Sequence, residues 1–134
     1  MSHPKLIYKL SLLGFGGNLL EWISSFLCNR TQSVRVGVSL SPPCPVLSGI
    51  PQGTVLGPLL FLLFIDDISE VTKKFNIILY ADDAKLYTEV SSISDCIDMS
   101  DDILEIEQWI TNWQMKFNLS KCEFLAIGSN NFNF

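Results

Sequence analysis

The chain has 134 residues, of which 48% are hydrophobic and 17% charged, a composition that excludes a disordered chain and allows one domain with a sizeable core. Its formal net charge of −5 argues against a chain that grips a polyphosphate backbone by itself, because lysine and arginine provide that grip. The four cysteines form no CxxC pair and His3 is the single histidine, which argues against a zinc site, a disulfide framework and a histidine-dependent nucleophile. We therefore expect an intracellular protein with reduced cysteines, in the nucleus or cytoplasm and not secreted.

The first third of the chain predicts two short helices and a strand. The helices are expected over Pro4–Leu13 and Leu19–Cys28, with Asn18 as the cap of the second helix. Valines alternate with other residues in Gln32–Val38, which favours a half-buried strand. Ser39–Pro45 contains three prolines and predicts a loop.

A glycine-rich loop then leads into an apolar helix, predicted over Pro58–Ser69. Such a loop lets the main chain approach a ligand closely, and the helix N-terminus favours negative charge. Gln52 lies between Pro51 and Gly53 just before the helix, which suggests an amide side chain aimed at a partner. The alternative is an ordinary turn before a core helix.

The acidic pair at the end of this helix and its apolar run can both be explained without a metal site or a membrane. Asp66 and Asp67 fall near its C-terminal end, where the helix dipole disfavours anions, so a solvated helix end is favoured over a metal site. The apolar run Val55–Ile65 has 11 residues, too few to span a bilayer. We therefore expect no membrane partner, although a small membrane-associated protein that uses this run remains the third alternative.

Two β-type runs, Asn76–Tyr80 and Ala84–Val90, flank a short break and predict a hairpin. Asp82 and Asp83 lie at its tip, where adjacent carboxylates repel each other and raise each other's proton affinity. A divalent cation removes this conflict, since Mg²⁺ prefers hard oxygen ligands. The alternative is a solvated acidic turn.

The longest helix is predicted over Ser94–Asn118, followed by a strand over Cys122–Ile127 and a frayed tail over residues 129–134. Acidic residues load the first half of the helix (Asp95, Asp98, Asp101, Asp102, Glu105 and Glu107), and an apolar stripe predicts its buried face (Ile103, Ile106, Ile110, Trp113 and Phe117). The order of elements predicts an α+β fold, with a small, mainly antiparallel sheet and helices packed on one face.

Three segments resemble the reverse transcriptases of non-LTR (LINE-type, jockey-like) retrotransposons. SGIPQGTVLGPLLF at Ser48–Phe61 is similar to the family's G-[IV]-P-Q-G-[ST]-x-L-G-P-L-L-F segment. YADD at Tyr80–Asp83 is similar to [FY]-A-D-D, and WQMKFNLSKCEFL at Trp113–Leu125 is similar to W-x-x-x-x-N-x-x-K-[CST]. The resemblance covers nearly the whole chain and implies that residues 1–128 are a partial palm domain.

The resemblance implies an RNA-directed DNA polymerase, a nucleotidyltransferase that uses two Mg²⁺ ions and takes an RNA or DNA template-primer and a dNTP as partners. Asp82 would be the chief metal carboxylate and Asp83 a secondary ligand or electrostatic support. Lys121 would sit near the β- and γ-phosphates as a charge stabiliser or a proton donor to pyrophosphate, and the alternative is a surface lysine. The nucleotide and template side would be lined by Pro51, Gln52, Gly53, Tyr80 and Ala81.

The family places an acidic block, D-F-[ST]-K-A-F-D, before the segment that matches the start of this chain, and that block carries another metal-binding aspartate. We therefore expect a truncated fragment that lacks this block and the fingers and thumb, and that is inactive alone. The alternative is a non-catalytic remnant of a decayed retrotransposon with at most a binding role. The upstream reading frame would separate these two hypotheses.

Overall fold

The computed structural model describes residues 1–128, which fall into two compact units divided between Asp66 and Asp67. The described residues form four α-helices: α1 (His3–Leu12), α2 (Gly17–Leu27), α3 (Leu56–Ile65) and α4 (Ile93–Asn112). Short 3-10 helices cover Asp66–Glu70 and Leu119–Lys121. The predicted tail, residues 129–134, lies outside the described residues, and the predicted domain bounds stay a prediction.

In the first unit, α1 packs against both α2 and α3. Their apolar faces bury a shared set of side chains: Leu6, Leu10, Ile23, Leu27, Leu60 and Phe64. Lys9 is also buried, and its ammonium donates to the carbonyl oxygen of Phe64 near the end of α3, where helix carbonyls lack partners within the helix. The first two predicted helices are confirmed, but α2 begins at Gly17, so Asn18 lies inside the helix and not at its cap.

Four two-residue strands follow α2. They are β1 (Thr31–Gln32), β2 (Arg35–Val36), β3 (Ser39–Leu40) and β4 (Cys44–Pro45), and they pair antiparallel as β1 with β4 and β2 with β3.

The predicted half-buried strand over Gln32–Val38 is wrong, since Val34, Val36 and Val38 are 66%, 75% and 97% exposed. Gly37 has a φ of 60°, and this positive value turns the chain back so that Val36 pairs with Ser39. The predicted loop over Ser39–Pro45 therefore contributes two of the short strands.

The hairpin predicted in the second unit is confirmed. Strands β5 (Asn76–Tyr80) and β6 (Asp83–Tyr87) pair antiparallel, with Ile77 opposite Leu86 and Tyr80 opposite Asp83. All of β6 is exposed, and only Ile77 and Leu79 of β5 are half-buried. The α+β class with antiparallel pairing is confirmed, but the strands of the described residues form three separate two-stranded sheets where the sequence predicted one sheet.

Helix α4 begins with a capping box, in which the Ser92 hydroxyl accepts from the Asp95 amide and the Asp95 carboxylate accepts from the Ser92 amide. It ends at Asn112, six residues before the predicted end at Asn118, and Gln114 follows with a φ of 54°. The buried face consists of Asp102, Ile106, Trp109 and Ile110.

Parts of the predicted apolar stripe and the predicted last strand are therefore wrong. Ile103 is 49% exposed, and Phe117 lies beyond the end of α4 and is 45% exposed. Cys122–Ile127 is exposed, and it forms no strand because no segment of the described residues pairs with it.

Candidate functional site

The tip of the β5–β6 hairpin is a four-residue acidic turn, Tyr80–Asp83. Tyr80 pairs with Asp83 across the ladder, and Ala81 and Asp82 connect the two strands. All four residues are exposed, and Tyr80 is 82% exposed. Within residues 1–128, neither carboxylate takes part in a hydrogen bond or an ion pair, so all the acceptor positions of Asp82 and Asp83 face solvent.

The acidic turn contains a strained residue. Ala81 has a φ of 53°, in the left-handed region that residues with a Cβ atom rarely adopt. A two-residue hairpin turn requires such a φ at its first residue, and glycine would adopt it without strain. Conformations of this kind cost about 1–3 kcal/mol and cluster at functional sites. The strained alanine is therefore consistent with a functional role for this turn.

The acidic turn offers part of a metal site. Among the described residues, no group of three or more His, Cys, Asp or Glu side chains is arranged to hold a metal ion. Mg²⁺ is usually bound through one or two carboxylates together with water and substrate phosphates, and Asp82 and Asp83 match that donor chemistry. The hairpin thus supplies suitable oxygen ligands but does not complete a protein site.

The second acidic pair has a different environment. The indole Nε1 of Trp109 donates to Oδ1 of Asp67 over 3.1 Å, and Asp67 is half-buried. The expectation of a solvated helix end is therefore wrong for Asp67, whose carboxylate links the 3-10 helix at Asp66–Glu70 to α4.

The glycine-rich loop in the first unit has the conformation that its glycines permit. Gly49 and Gly53 have φ values of 90° and 76°. The Thr54 hydroxyl donates to the Pro51 carbonyl over 2.7 Å and accepts from the Gly57 amide over 3.2 Å, which joins the loop to the first turn of α3.

Pro51, Gln52 and Gly53 therefore lie just before the N-terminus of α3, held there by the bonds of Thr54. Gln52 and Gly53 are exposed, and a Cβ atom at Gly53 would meet no atom within 4 Å, so a ligand could approach the backbone there. The side-chain amide of Gln52 forms no hydrogen bond within residues 1–128 and is available to a partner.

The start of the chain holds this loop in place. The His3 imidazole lies 2.8 Å (Nε2 to O) from the Gly49 carbonyl, and the Gly49 amide donates to the Met1 carbonyl over 2.9 Å. His3 is buried although it lies near the start of the chain. No sequence signal indicated this contact, because the two residues are 46 positions apart.

Lys121 ends the 3-10 helix Leu119–Lys121 and is exposed. Its backbone amide donates to the Asn118 carbonyl over 2.9 Å, and within residues 1–128 its ammonium forms no ion pair. Lys121 lies in the same unit as the acidic turn, whereas Pro51, Gln52 and Gly53 lie in the first unit. The roles predicted for these residues stay predictions.

Sequence reasoning missed one buried carboxylate in the second unit. Asp102 is 3% exposed and accepts hydrogen bonds from the backbone amides of Lys73, Lys74 and Phe75. Burial acts to raise the pKa of Asp102, but these three amide donors outweigh it and hold the pKa below its ordinary value. The sequence signal that could have revealed its burial is helical spacing. Asp102 precedes the buried Ile106 and Ile110 by four and eight positions and so lies on the same face of the helix.

Within residues 1–128, no helix combines the length and the apolar character needed to cross a bilayer.

Comparison with known proteins places the chain in a family. The family model described as reverse transcriptase (RNA-dependent DNA polymerase) matches residues 1–134. The chain is 36% identical over 128 residues to the RNA-directed DNA polymerase from mobile element jockey of Drosophila melanogaster, which covers 90% of this chain and 14% of the relative. The jockey polymerase of Drosophila funebris is 32% identical over 128 residues, with the same coverage.

A third relative is the probable RNA-directed DNA polymerase from transposon BS of Drosophila melanogaster, 32% identical over 127 residues, which covers 89% of this chain and 14% of the relative. The chain thus spans about 14% of the length of these curated relatives. No solved structure matches the chain. The chain belongs to the reverse transcriptase (RNA-dependent DNA polymerase) family, among the enzymes of non-LTR retrotransposons.

Proposed function

We propose that the chain supplies part of the polymerising site of an RNA-directed DNA polymerase. The observation that carries the proposal is the acidic turn, in which a hairpin presents two adjacent, exposed carboxylates without partners among the described residues. Family membership supports it, since the relatives are named as RNA-directed DNA polymerases. The substrates would be a template-primer and a dNTP.

In the proposed reaction the 3′-hydroxyl of a primer attacks the α-phosphate of the dNTP, a new phosphodiester bond forms, and pyrophosphate leaves. Asp82 would be the main carboxylate that holds divalent metal, and Asp83 would be a second ligand or an electrostatic support. When bound, two Mg²⁺ ions stabilise the negative charge on the attacking and leaving oxygens. The exposure of both side chains leaves them accessible to metal and phosphate.

The glycine-rich loop would form the nucleotide and template side of the site. The exposed backbone at Gly53 allows close approach of a substrate, and the amide of Gln52 can both donate and accept hydrogen bonds. Pro51 would fix the loop, while Tyr80 and Ala81 would contribute from the hairpin.

Lys121 would act at the β- and γ-phosphates, as a charge stabiliser or as a proton donor to pyrophosphate. Its exposure and the absence of an ion pair within residues 1–128 leave the ammonium available for that role.

We further propose that the hairpin belongs to a palm-like sheet in a longer polymerase, with fingers and thumb regions supplied by other segments. The exposure of all of β6 and of most of β5 supports this, since a lone hairpin is marginally stable and becomes stable when further strands or helices cover it. A polypeptide of these 134 residues alone should show little or no polymerase activity, because two carboxylates do not complete a two-metal site.

The test is primer extension on a poly(rA) template with an oligo(dT) primer and Mg²⁺ or Mn²⁺. The polypeptide alone is expected to extend little or no primer. A chimera in which this chain replaces the aligned segment of the Drosophila melanogaster jockey polymerase is expected to extend it. Asp82→Asn should abolish that extension, whereas Asp101→Asn, an exposed acid on α4, should leave it unchanged.

Two outcomes would contradict the proposal. One is extension by the polypeptide alone at the level of an intact enzyme, lost in Asp82→Asn, which would show that the site is complete. The other is a folded chimera whose extension survives Asp82→Asn, which would remove Asp82 from the metal site. A folded chimera with no activity in any form would support the non-catalytic remnant.

A further inference from the structure

The segment Lys73–Phe75, directly before the hairpin, is bound by one buried carboxylate. Oδ2 of Asp102 accepts from the amides of Lys73, Lys74 and Phe75 over 3.1, 2.6 and 2.9 Å, and Oδ1 also accepts from Lys73 over 3.0 Å. The Thr72 hydroxyl donates to the Phe75 carbonyl over 3.1 Å, which closes the same turn. The carboxylate of Asp102 therefore fixes the direction in which the chain enters β5.

The hairpin itself has few other attachments. Within residues 1–128, no hydrogen bond or ion pair joins residues 76–87 to any residue outside the hairpin. Its side chains are exposed, apart from the half-buried Ile77 and Leu79. Side-chain packing therefore does little to fix the direction of the hairpin. Its direction depends on the segment Lys73–Phe75, which leads into β5.

The N-terminal half of α4 makes further contacts with the segments before and after the hairpin. The Lys74 ammonium lies 2.8 Å from Oδ1 of Asp95 and 3.3 Å from Oδ2 of Asp98. Oδ2 of Asp95 accepts from the amides of Ser91 and Ser92, which follow the hairpin. In the described part of the chain, the segments that flank the hairpin are thus bonded to the first half of α4, whereas the hairpin's own residues are not.

We infer that Asp102 is a positioning residue for the acidic turn, an inference that rests on the proposed function of that turn. β5 has five residues and spans about 17 Å, so a tilt of about 10° at Phe75 would move the turn by about 3 Å. Displacements of about 1 Å can lower a catalytic rate by about 10²-fold. Asp102 acts through the backbone of residues 73–75 and touches neither metal nor substrate.

The experiment compares the full chain, Asp102→Asn and the control Asp101→Asn by NMR of ¹⁵N-labelled protein. Asparagine has the shape of aspartate but no charge, and with its amide oxygen in the place of Oδ2 its NH₂ group faces the Lys73 amide, where Oδ1 accepted a hydrogen bond. The three backbone amides therefore lose their charged acceptor, and one donor meets another donor at Lys73. Residual dipolar couplings report the direction of each N–H bond in a common frame. In the full chain and in Asp101→Asn, the couplings of the hairpin and of α4 should fit one alignment tensor.

In Asp102→Asn the common fit should be lost, while cross-strand contacts such as Ile77 to Leu86 persist and show that the hairpin is still formed. A folded Asp102→Asn variant whose hairpin and α4 still fit one tensor would overturn the inference. A purely structural role for Asp102 would weaken both elements together and would not separate their directions.

A measurement on the unsubstituted chain covers the case in which Asp102→Asn does not fold. The amides of Lys74 and Phe75 should resist hydrogen exchange at least as strongly as the β5–β6 ladder. Unprotected amides at these two positions beside a protected ladder would overturn the inference. Mn²⁺ broadening of the acidic turn tests the proposed function separately, because it depends on Asp82 and Asp83 and not on the direction of the hairpin.

Discussion

Replacing Ile110 by alanine should destabilise the second unit far more than the same change at Ile103 on the same helix. Ile→Ala removes three carbon atoms, and each buried methylene contributes about 0.8 kcal/mol. Ile110 is 8% exposed, so the transfer term is about 2 kcal/mol, and the cavity left behind brings the expected cost to about 3 kcal/mol. Ile103 is 49% exposed and leaves no closed cavity, so its cost should be about 1 kcal/mol.

The assay is urea unfolding followed by far-ultraviolet circular dichroism, because α4 is the longest helix of the described residues. Both variants gain the same intrinsic helix propensity, so that term cancels in the difference between them. Equal costs at the two positions, or a larger cost at Ile103, would refute the assignment of the buried face of α4.

Three further changes test other contacts. The pKa of Asp102 is below its ordinary value despite burial, so its charge stabilises the folded state above about pH 4, and this stability is lost as the pH falls further. Thermal melts between about pH 6 and pH 3 should therefore fall more steeply for the unsubstituted chain than for Asp102→Asn, and parallel curves would contradict this account. Thr54→Val should cost about 1–2 kcal/mol in urea unfolding, because it loses the bonds to Pro51 and Gly57, while Thr54→Ser should cost less. Ala81→Gly should relieve the strain of its positive φ and leave stability unchanged or raise it by up to about 1 kcal/mol, and a clear loss in melting temperature would argue against a strained turn.

Local patterns predicted the elements whose formation depends on neighbouring residues. The β5–β6 hairpin followed from two apolar runs around a short break, and α1, α2 and α4 followed from helical spacing of apolar residues. The end of α4 was predicted too late, because the positive φ of Gln114 has no signal in residue type. The strand over Gln32–Val38 was misread because alternation does not show whether another layer covers the valines.

Contacts between distant positions were beyond sequence reasoning. The bonds from Asp102 to residues 73–75 join positions 27 to 29 apart, and the sequence showed Asp102 only as one of several acidic residues in the first half of the helix. The bond from His3 to Gly49 likewise depends on how the first unit folds. For the candidate site, motifs identified the family, while the roles of Asp82, Gln52 and Lys121 stay predictions.

The most direct test of the central claim, that Asp82 and Asp83 hold divalent metal, is a Mn²⁺ titration of the ¹⁵N-labelled chain. Paramagnetic broadening detects weak binding, and Mn²⁺ accepts the same oxygen ligands as Mg²⁺. The amides of residues 80–84 should broaden first, and Asp82→Asn should remove this effect, whereas Asp101→Asn should not. Broadening confined to the acidic residues of α4, or unchanged at the acidic turn in Asp82→Asn, would contradict the account.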